Sequence, residues 1–146
     1  VTRQLELVLR IEKEREDEKA KYLQEARAEL LAEQKKMKGI ESYRLDYMQE
    51  IHHRAQGGVS AQQMNAFQQF IDSLDKAVVQ QGEVLRRLKM VVDQRIQQWR
   101  EQQQRRKAVE HLLEKKRQEQ EKLFAKEEQK IMDEYATQRF IRHPER

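Results

Sequence analysis

The chain has 146 residues, 38% of them charged and 37% hydrophobic, with four Gly, one Pro and no Cys. So small an apolar share cannot fill a globular core, although it suffices for a seam between two helices. The net charge of +4 is uneven: residues 1–55 balance twelve basic against twelve acidic side chains, whereas Arg86, Arg87, Lys89, Arg95, Arg100, Arg105, Arg106 and Lys107 share a stretch with only Asp93 and Glu101.

The lack of Cys excludes disulfides and thiolate metal sites and fits a reducing compartment. No apolar run approaches the roughly 18 residues that cross a bilayer. The opening VTRQLELVLRIEKERED lacks the apolar core and small-residue cleavage site of a signal peptide. A soluble cytosolic protein is therefore expected.

From about residue 3 to 55 the spacing predicts a first helix. Leu9, Leu23, Leu30, Met37 and Ile51 lie on one seven-residue ladder, and Leu5, Ala26, Ile40 and Tyr47 on its companion. Gly39 weakens this helix by roughly 1 kcal/mol relative to Ala. The ladders lapse at Glu12, Glu16 and Lys19, and again at Arg44, so this half reads as a coiled-coil strand with a polar gap. Residues 56–60, Gln-Gly-Gly-Val-Ser, are the interior turn signal: paired glycines free the backbone, and Ser60 suits the N-cap of the helix that follows. A connection this short makes the two helices antiparallel neighbours.

The second helix is predicted over about 61–140, with Pro144 as the stop and 141–146 as a tail. Met64, Ile71, Val78, Leu85, Val92 and Trp99 form one ladder; Phe67, Leu74, Gln81, Leu88 and Arg95 form the other. The period is near 3.5, that of a left-handed two-stranded coil. A third ladder, Phe70, Ala77, Val84 and Val91, makes the stripe wider than one partner helix needs. The fold expected is all-α: a two-helix antiparallel coiled-coil hairpin with the longer helix second, one elongated domain over residues 1–146, and a monomer. At roughly 1.5 Å per residue its arms are about 80 and 120 Å long.

Folding at Gly57–Gly58 sets residue i opposite about residue 116 − i. Tyr47 then meets Phe70, Ile51 meets Met64, Met37 meets Val78, Leu30 meets Leu85 and Leu23 meets Val92. Glu12–Lys19 meets Gln97–Gln104, where a weak, wet seam is expected. Past about His111 no partner is left. Leu112, Leu113, Leu123, Phe124, Ile131 and Tyr135 nevertheless keep an apolar side there, and so unsupported a helix is expected to fray or to bind something.

No residue set points to catalysis. There is no Gly-rich phosphate loop and no thiol, and Ser42, Ser60 and Ser73 have helix or cap roles. Asp72 and Asp75 stand at helical spacing without the enclosed cleft that shifts a pKa. An enzyme is not expected, nor a cofactor. His52 and His53 are adjacent and point about 100° apart on a helix, and His111 is remote, so no metal site is expected. The basic stretch Arg86–Lys107 reads as a solvated face or a contact for an acidic protein surface before it reads as a nucleic-acid site, because Trp99 is its only aromatic residue and lies on the seam. A membrane-surface helix would want a bulky aromatic face opposite. Near the turn, Tyr43 and Tyr47 stand four apart and face Phe67, Phe70 and Leu74. Tyr43, Phe70 and Ala77 fall on the flank, where a two-stranded coil normally carries charge; aromatic residues there read as interface anchors.

At these residues the chain resembles the flagellar FliJ family of the type III export apparatus. The likeness rests on Ser42-Tyr43-Arg44-Leu45-Asp46-Tyr47, the Gly-containing turn, Phe67-Gln68-Gln69-Phe70-Ile71 with Leu74, Lys76 and Ala77, then Trp99-Arg100-Glu101 and Met132-Asp133-Glu134. It spans nearly the whole chain and is strongest from about Ile40 to Arg106. The resemblance implies an antiparallel coiled coil similar to the gamma stalk of rotary ATP synthases. Such a coil sits in the pore of the hexameric export ATPase FliI, promotes its assembly, contacts the export gate protein FlhA, recycles substrate chaperones, and is cytoplasmic and peripheral at the inner membrane. It maps gate binding to Ile40, Tyr43, Tyr47, Phe70, Leu74, Ala77 and Gln81; the family often has His where Gln81 stands and Gln where Lys36 stands. The basic run places ATPase-ring contacts at Arg95, Arg100, Arg105, Arg106 and Lys107. The alternatives are a helical RNA-binding arm and a generic coiled-coil scaffold or dimerisation spacer.

Overall fold

The computed structural model describes residues 2–142, and among them there is no strand. The described residues form two helices: α1, Thr2–Gln56, and α2, Ala61–Arg142, the second much the longer. The all-α, two-helix expectation holds, with ends within two residues of those read from the spacing. Pro144 and most of the expected tail lie outside the described residues.

The turn is built as its residue types dictate. The Gly57 and Gly58 amides donate to the carbonyls of Arg54 and Ala55 at 3.1 and 3.2 Å, which tightens the last turn of α1. Gly58 has φ +87°, the left-handed region where a side chain is strained. Ser60 then caps α2. Its Oγ accepts the Gln63 amide at 3.1 Å while the Gln63 side chain accepts the Ser60 amide at 3.1 Å. This reciprocal capping box satisfies two N–H groups left over at the start of a helix.

The chain divides into two compact units, Glu18–Arg100 and Val1–Asp17 with Glu101–Arg146. The first contains the turn and is a hairpin. Leu23, Ala26 and Val92 are its buried centre, with Leu30, Val91 and Ile96 packed against them, and Ile71 is buried nearer the turn. Leu23 and Val92 share this cluster, as the predicted register requires. Farther toward the turn, the Gln81 amide donates to both the backbone carbonyl and the carboxylate of Glu33, at 2.9 and 2.6 Å. Arg44, which interrupts the apolar ladder, donates from Nε to Asp75 at 2.6 Å. The break in the sequence pattern is thus a cross-helix ion pair.

The second unit corrects two expectations. The polar stretch around Glu12 is closed by direct hydrogen bonds where a weak, wet seam was expected: Gln102 is only 4% exposed, and its amide donates to the Glu12 carbonyl at 3.1 Å and to the Glu12 carboxylate. Arg106 donates to Glu16 at 2.7 Å and to Glu110 at 2.8 Å. Nor does pairing end at His111. Leu113 is 3% exposed, and Arg117 reaches Glu6 at 3.0 Å. The physical reason is that α1 is helical from Thr2 onward, and long Arg side chains slant along the seam to partners beyond the level opposite.

Candidate partner-binding surface

The aromatic residues flanking the turn come together as one cluster. On α1, Ile40, Tyr43 and Tyr47 follow the three-and-four spacing of one helix face; on α2, Phe70, Leu74 and Ala77 do the same. Tyr47 sits at the junction, half-buried. Its ring centroid is 4.6 Å from that of Phe70 and 6.2 Å from that of Phe67, the latter edge-on at 81°. Tyr43 stacks on Tyr47 at 6.4 Å with 17° between planes and meets Phe70 edge-on at 6.1 Å. Separations in this range are those at which aromatic pairs attract.

Two members of the cluster remain open to solvent. Tyr43 is 54% and Phe70 38% exposed, and both rings are braced by neighbours. A ring already held in place loses little entropy when covered, which is what makes aromatic residues effective anchors. Ile40, Leu74 and Ala77 are half-buried beside them. Gln81 does not belong to this surface. It lies in the seam at 4% exposure with its amide engaged by Glu33, so its role is internal.

A groove of about 280 Å³ beside the turn is lined by Met48, Ile51, Met64, Phe67, Gln68, Ile71 and the Arg44–Asp75 pair. The sequence reading placed Ile51 opposite Met64 but did not foresee a groove. Its signal was the pair of methionines together with the Arg that breaks the ladder. The flexible thioethers of Met48 and Met64 are 43% and 42% exposed.

The five basic residues expected to bind a partner separate into three environments. In the hairpin unit, Arg95 has its guanidinium carbon 6.0 Å over the Tyr22 ring, and Arg100 is exposed. The Tyr22 hydroxyl donates to Glu18 at 2.6 Å, and the adjacent carboxylate pushes the phenol's pKa up. In the other unit, Arg105 and Lys107 are exposed. Arg106 between them is turned into the seam, its side chain 19% exposed against Glu16 at 15%. The pair holds the Glu16 carboxyl below its ordinary value through the Arg106 hydrogen bond and raises the Arg106 guanidinium. Arg106 is therefore already spent on the coil, which corrects its assignment as a free contact.

Among the described residues no group of three or more His, Cys, Asp or Glu is placed to hold a metal, and no helix is long and apolar enough to cross a membrane. What the surface offers is the faces and edges of aromatic rings, Tyr43 the most exposed of them. The family described as "Flagellar FliJ protein" matches residues 2–145. A flagellar FliJ protein of Escherichia coli K12 is 33% identical over 134 residues, covering 92% of this chain and 90% of that protein. Another from Salmonella typhi is 29% identical over 129 residues, 88% of each. No solved structure matches.

Proposed function

Because the chain belongs to the flagellar FliJ family, we propose that it serves flagellar protein export as a non-catalytic coiled coil joining the export ATPase FliI to the gate protein FlhA and handling substrate chaperones. The observation that carries the gate half of this reading is the braced but exposed pair Tyr43 and Phe70. Ile40, Tyr47, Leu74 and Ala77 surround them and form the gate-binding patch. The ATPase half rests on Arg105 and Lys107, exposed cations that make no ion pair among the described residues and suit acidic loops inside a ring.

Titration of the full chain against the cytosolic part of FlhA tests the patch. Tyr43→Ala with Phe70→Ala should weaken binding by at least about tenfold, since truncating one anchoring ring often costs about 2 kcal/mol. Helix content should stay unchanged, because both residues are partly exposed. Wild-type affinity would remove the gate assignment. In parallel, Arg105→Glu with Lys107→Glu should reduce FliI hexamer formation and ATP turnover stimulated by this chain, and undiminished stimulation would count against the ring contact.

A further inference from the structure

Between the Gln81–Glu33 hydrogen bonds and the turn the seam is thinly packed. Ile71 is the one buried residue there among those described, and Arg44–Asp75 is the one polar contact that crosses from helix to helix. Arg44 stands on the ladder that also holds Leu23, Leu30, Met37 and Ile51, so an aliphatic side chain in its place would add to the apolar burial of the seam. The ion pair gives little in exchange. The Arg44 side chain is 35% and the Asp75 side chain 49% exposed, and a pair so open to water is screened and adds little to stability. Stability does not account for Arg44.

Its placement does. Arg44 Nε donates to the Asp75 carboxylate at 2.6 Å, a short and directional bond from a planar group. Arg44 directly follows Tyr43, and Asp75 comes one residue after Leu74 and five after Phe70, about 140° farther round α2. The pair therefore ties the helices on one flank, beside the groove of Met48 and Met64, whereas Tyr43 and Phe70 meet edge-on across the other at 6.1 Å. Apolar contacts are nondirectional and oppose the rolling of one helix on another only weakly. A directional bond on one flank stops the roll and sets the gap on the other. A polar residue on the apolar ladder of a coil can in this way trade stability for alignment. We propose that Arg44 and Asp75 are positioning residues for the aromatic surface. They hold α1 and α2 near the turn at the rotation in which Tyr43 and Phe70 brace each other and stay open to a partner. The consequence for binding rests on the gate-contact reading; the consequence for the two rings does not.

Arg44→Leu in the full chain separates positioning from stability. Its urea midpoint should stay at or above that of the unaltered chain. The ring signals of Tyr43 and Phe70 in NMR spectra should nevertheless shift, and affinity for the cytosolic part of FlhA should fall at least about threefold. Asp75→Arg alone, which sets two cations face to face, should disturb the rings and the affinity more. The exchanged pair, Arg44→Asp with Asp75→Arg, should recover most of both. A lowered urea midpoint for Arg44→Leu would mean that the pair merely holds the seam shut, and would overturn the proposal. So would ring signals that do not move, or an exchanged pair no better than Asp75→Arg alone. Rings that move while FlhA affinity stays unchanged would support the positioning role and remove the gate contact instead.

Discussion

The same two helices make two chemically different seams. In Glu18–Arg100 the buried residues are mostly apolar, with Leu23, Ala26, Ile71 and Val92 each 6–8% exposed. In the unit of Val1–Asp17 and Glu101–Arg146, Leu113 is the one buried apolar residue among those described, and the seam is otherwise closed by Gln102 on Glu12 and Arg106 on Glu16. Apolar burial is nondirectional and supplies most of the driving force for association. Charge-assisted hydrogen bonds yield less net stability, since each group gives up water first, but they hold only in the matching alignment. The difference teaches that one seam draws most of its hold from apolar packing, with Arg44–Asp75 and Gln81–Glu33 as additions, and the other depends on alignment and on its charges. The aromatic surface rides on the first seam.

The largest expected effect comes from breaking the apolar side of this contrast. Leu23→Ala empties a site packed by Ala26 and Val92 and should cost about 2–3 kcal/mol, at the low end for a buried leucine because a two-helix seam can partly collapse. Urea unfolding followed by circular dichroism should give the same loss at low and high salt. A loss that depends strongly on salt would mean that electrostatics hold this seam as well.

A smaller effect should follow at the two glutamines. Gln81 and Gln102 each donate to the backbone carbonyl and the carboxylate of one glutamate, Glu33 or Glu12. Each unit thus contains one such clamp, and Gln81→Leu or Gln102→Leu leaves a half-buried carboxylate against a methyl group at a cost of about 1–2 kcal/mol. The comparison sharpens through register. Cysteine pairs placed across the seam one heptad out of register should cross-link detectably in Gln102→Leu, where little apolar packing opposes sliding, and not in Gln81→Leu. Equal slippage in both would show that the clamps add stability without setting alignment.

The parts of this architecture legible in the sequence are those that depend on spacing alone. The paired glycines and Ser60 located the turn, and the seven-residue ladders placed Tyr47 by Phe70 and Leu23 by Val92. What was not legible depends on which side chain faces which across the seam. Arg105, Arg106 and Lys107 are one basic run in sequence, yet only Arg106 points at Glu16 and is used up there. Arg44 looked like a flaw in a ladder because its partner, Asp75, lies 31 residues away. Gln81 stood on a seam ladder beside Leu74, and the resemblance alone made it a surface contact; its hydrogen bonds to Glu33 show that the ladder position was the better guide. In the same way Leu113 looked unpartnered until the pairing of Arg117 with Glu6 showed how far the first helix reaches.

The smallest effect, and the one that tells the two seams apart without a mutation, is their response to acid. Arg106 holds the Glu16 carboxyl below its ordinary value of about 4.5, so the unfolded chain takes up that proton more readily than the folded one. The contribution of the pair is therefore fully present above about pH 4.5 and is lost as pH falls through the lower folded value. Hydrogen exchange quenched from a series of acidic buffers, and corrected for the intrinsic pH dependence of exchange, should show amides near Glu12–Glu16 and Gln102–Arg106 losing protection. Those near Leu23 and Val92, held by packing with no titrating partner in their cluster, should keep theirs. Arg106→Gln should remove most of the acid sensitivity by making the unit weak at every pH, because the Arg106 hydrogen bond is the largest cause that holds the Glu16 carboxyl down. If protection falls in parallel in both units, the polar seam does not open independently of the apolar one, and the contrast between them is one of composition without consequence for stability.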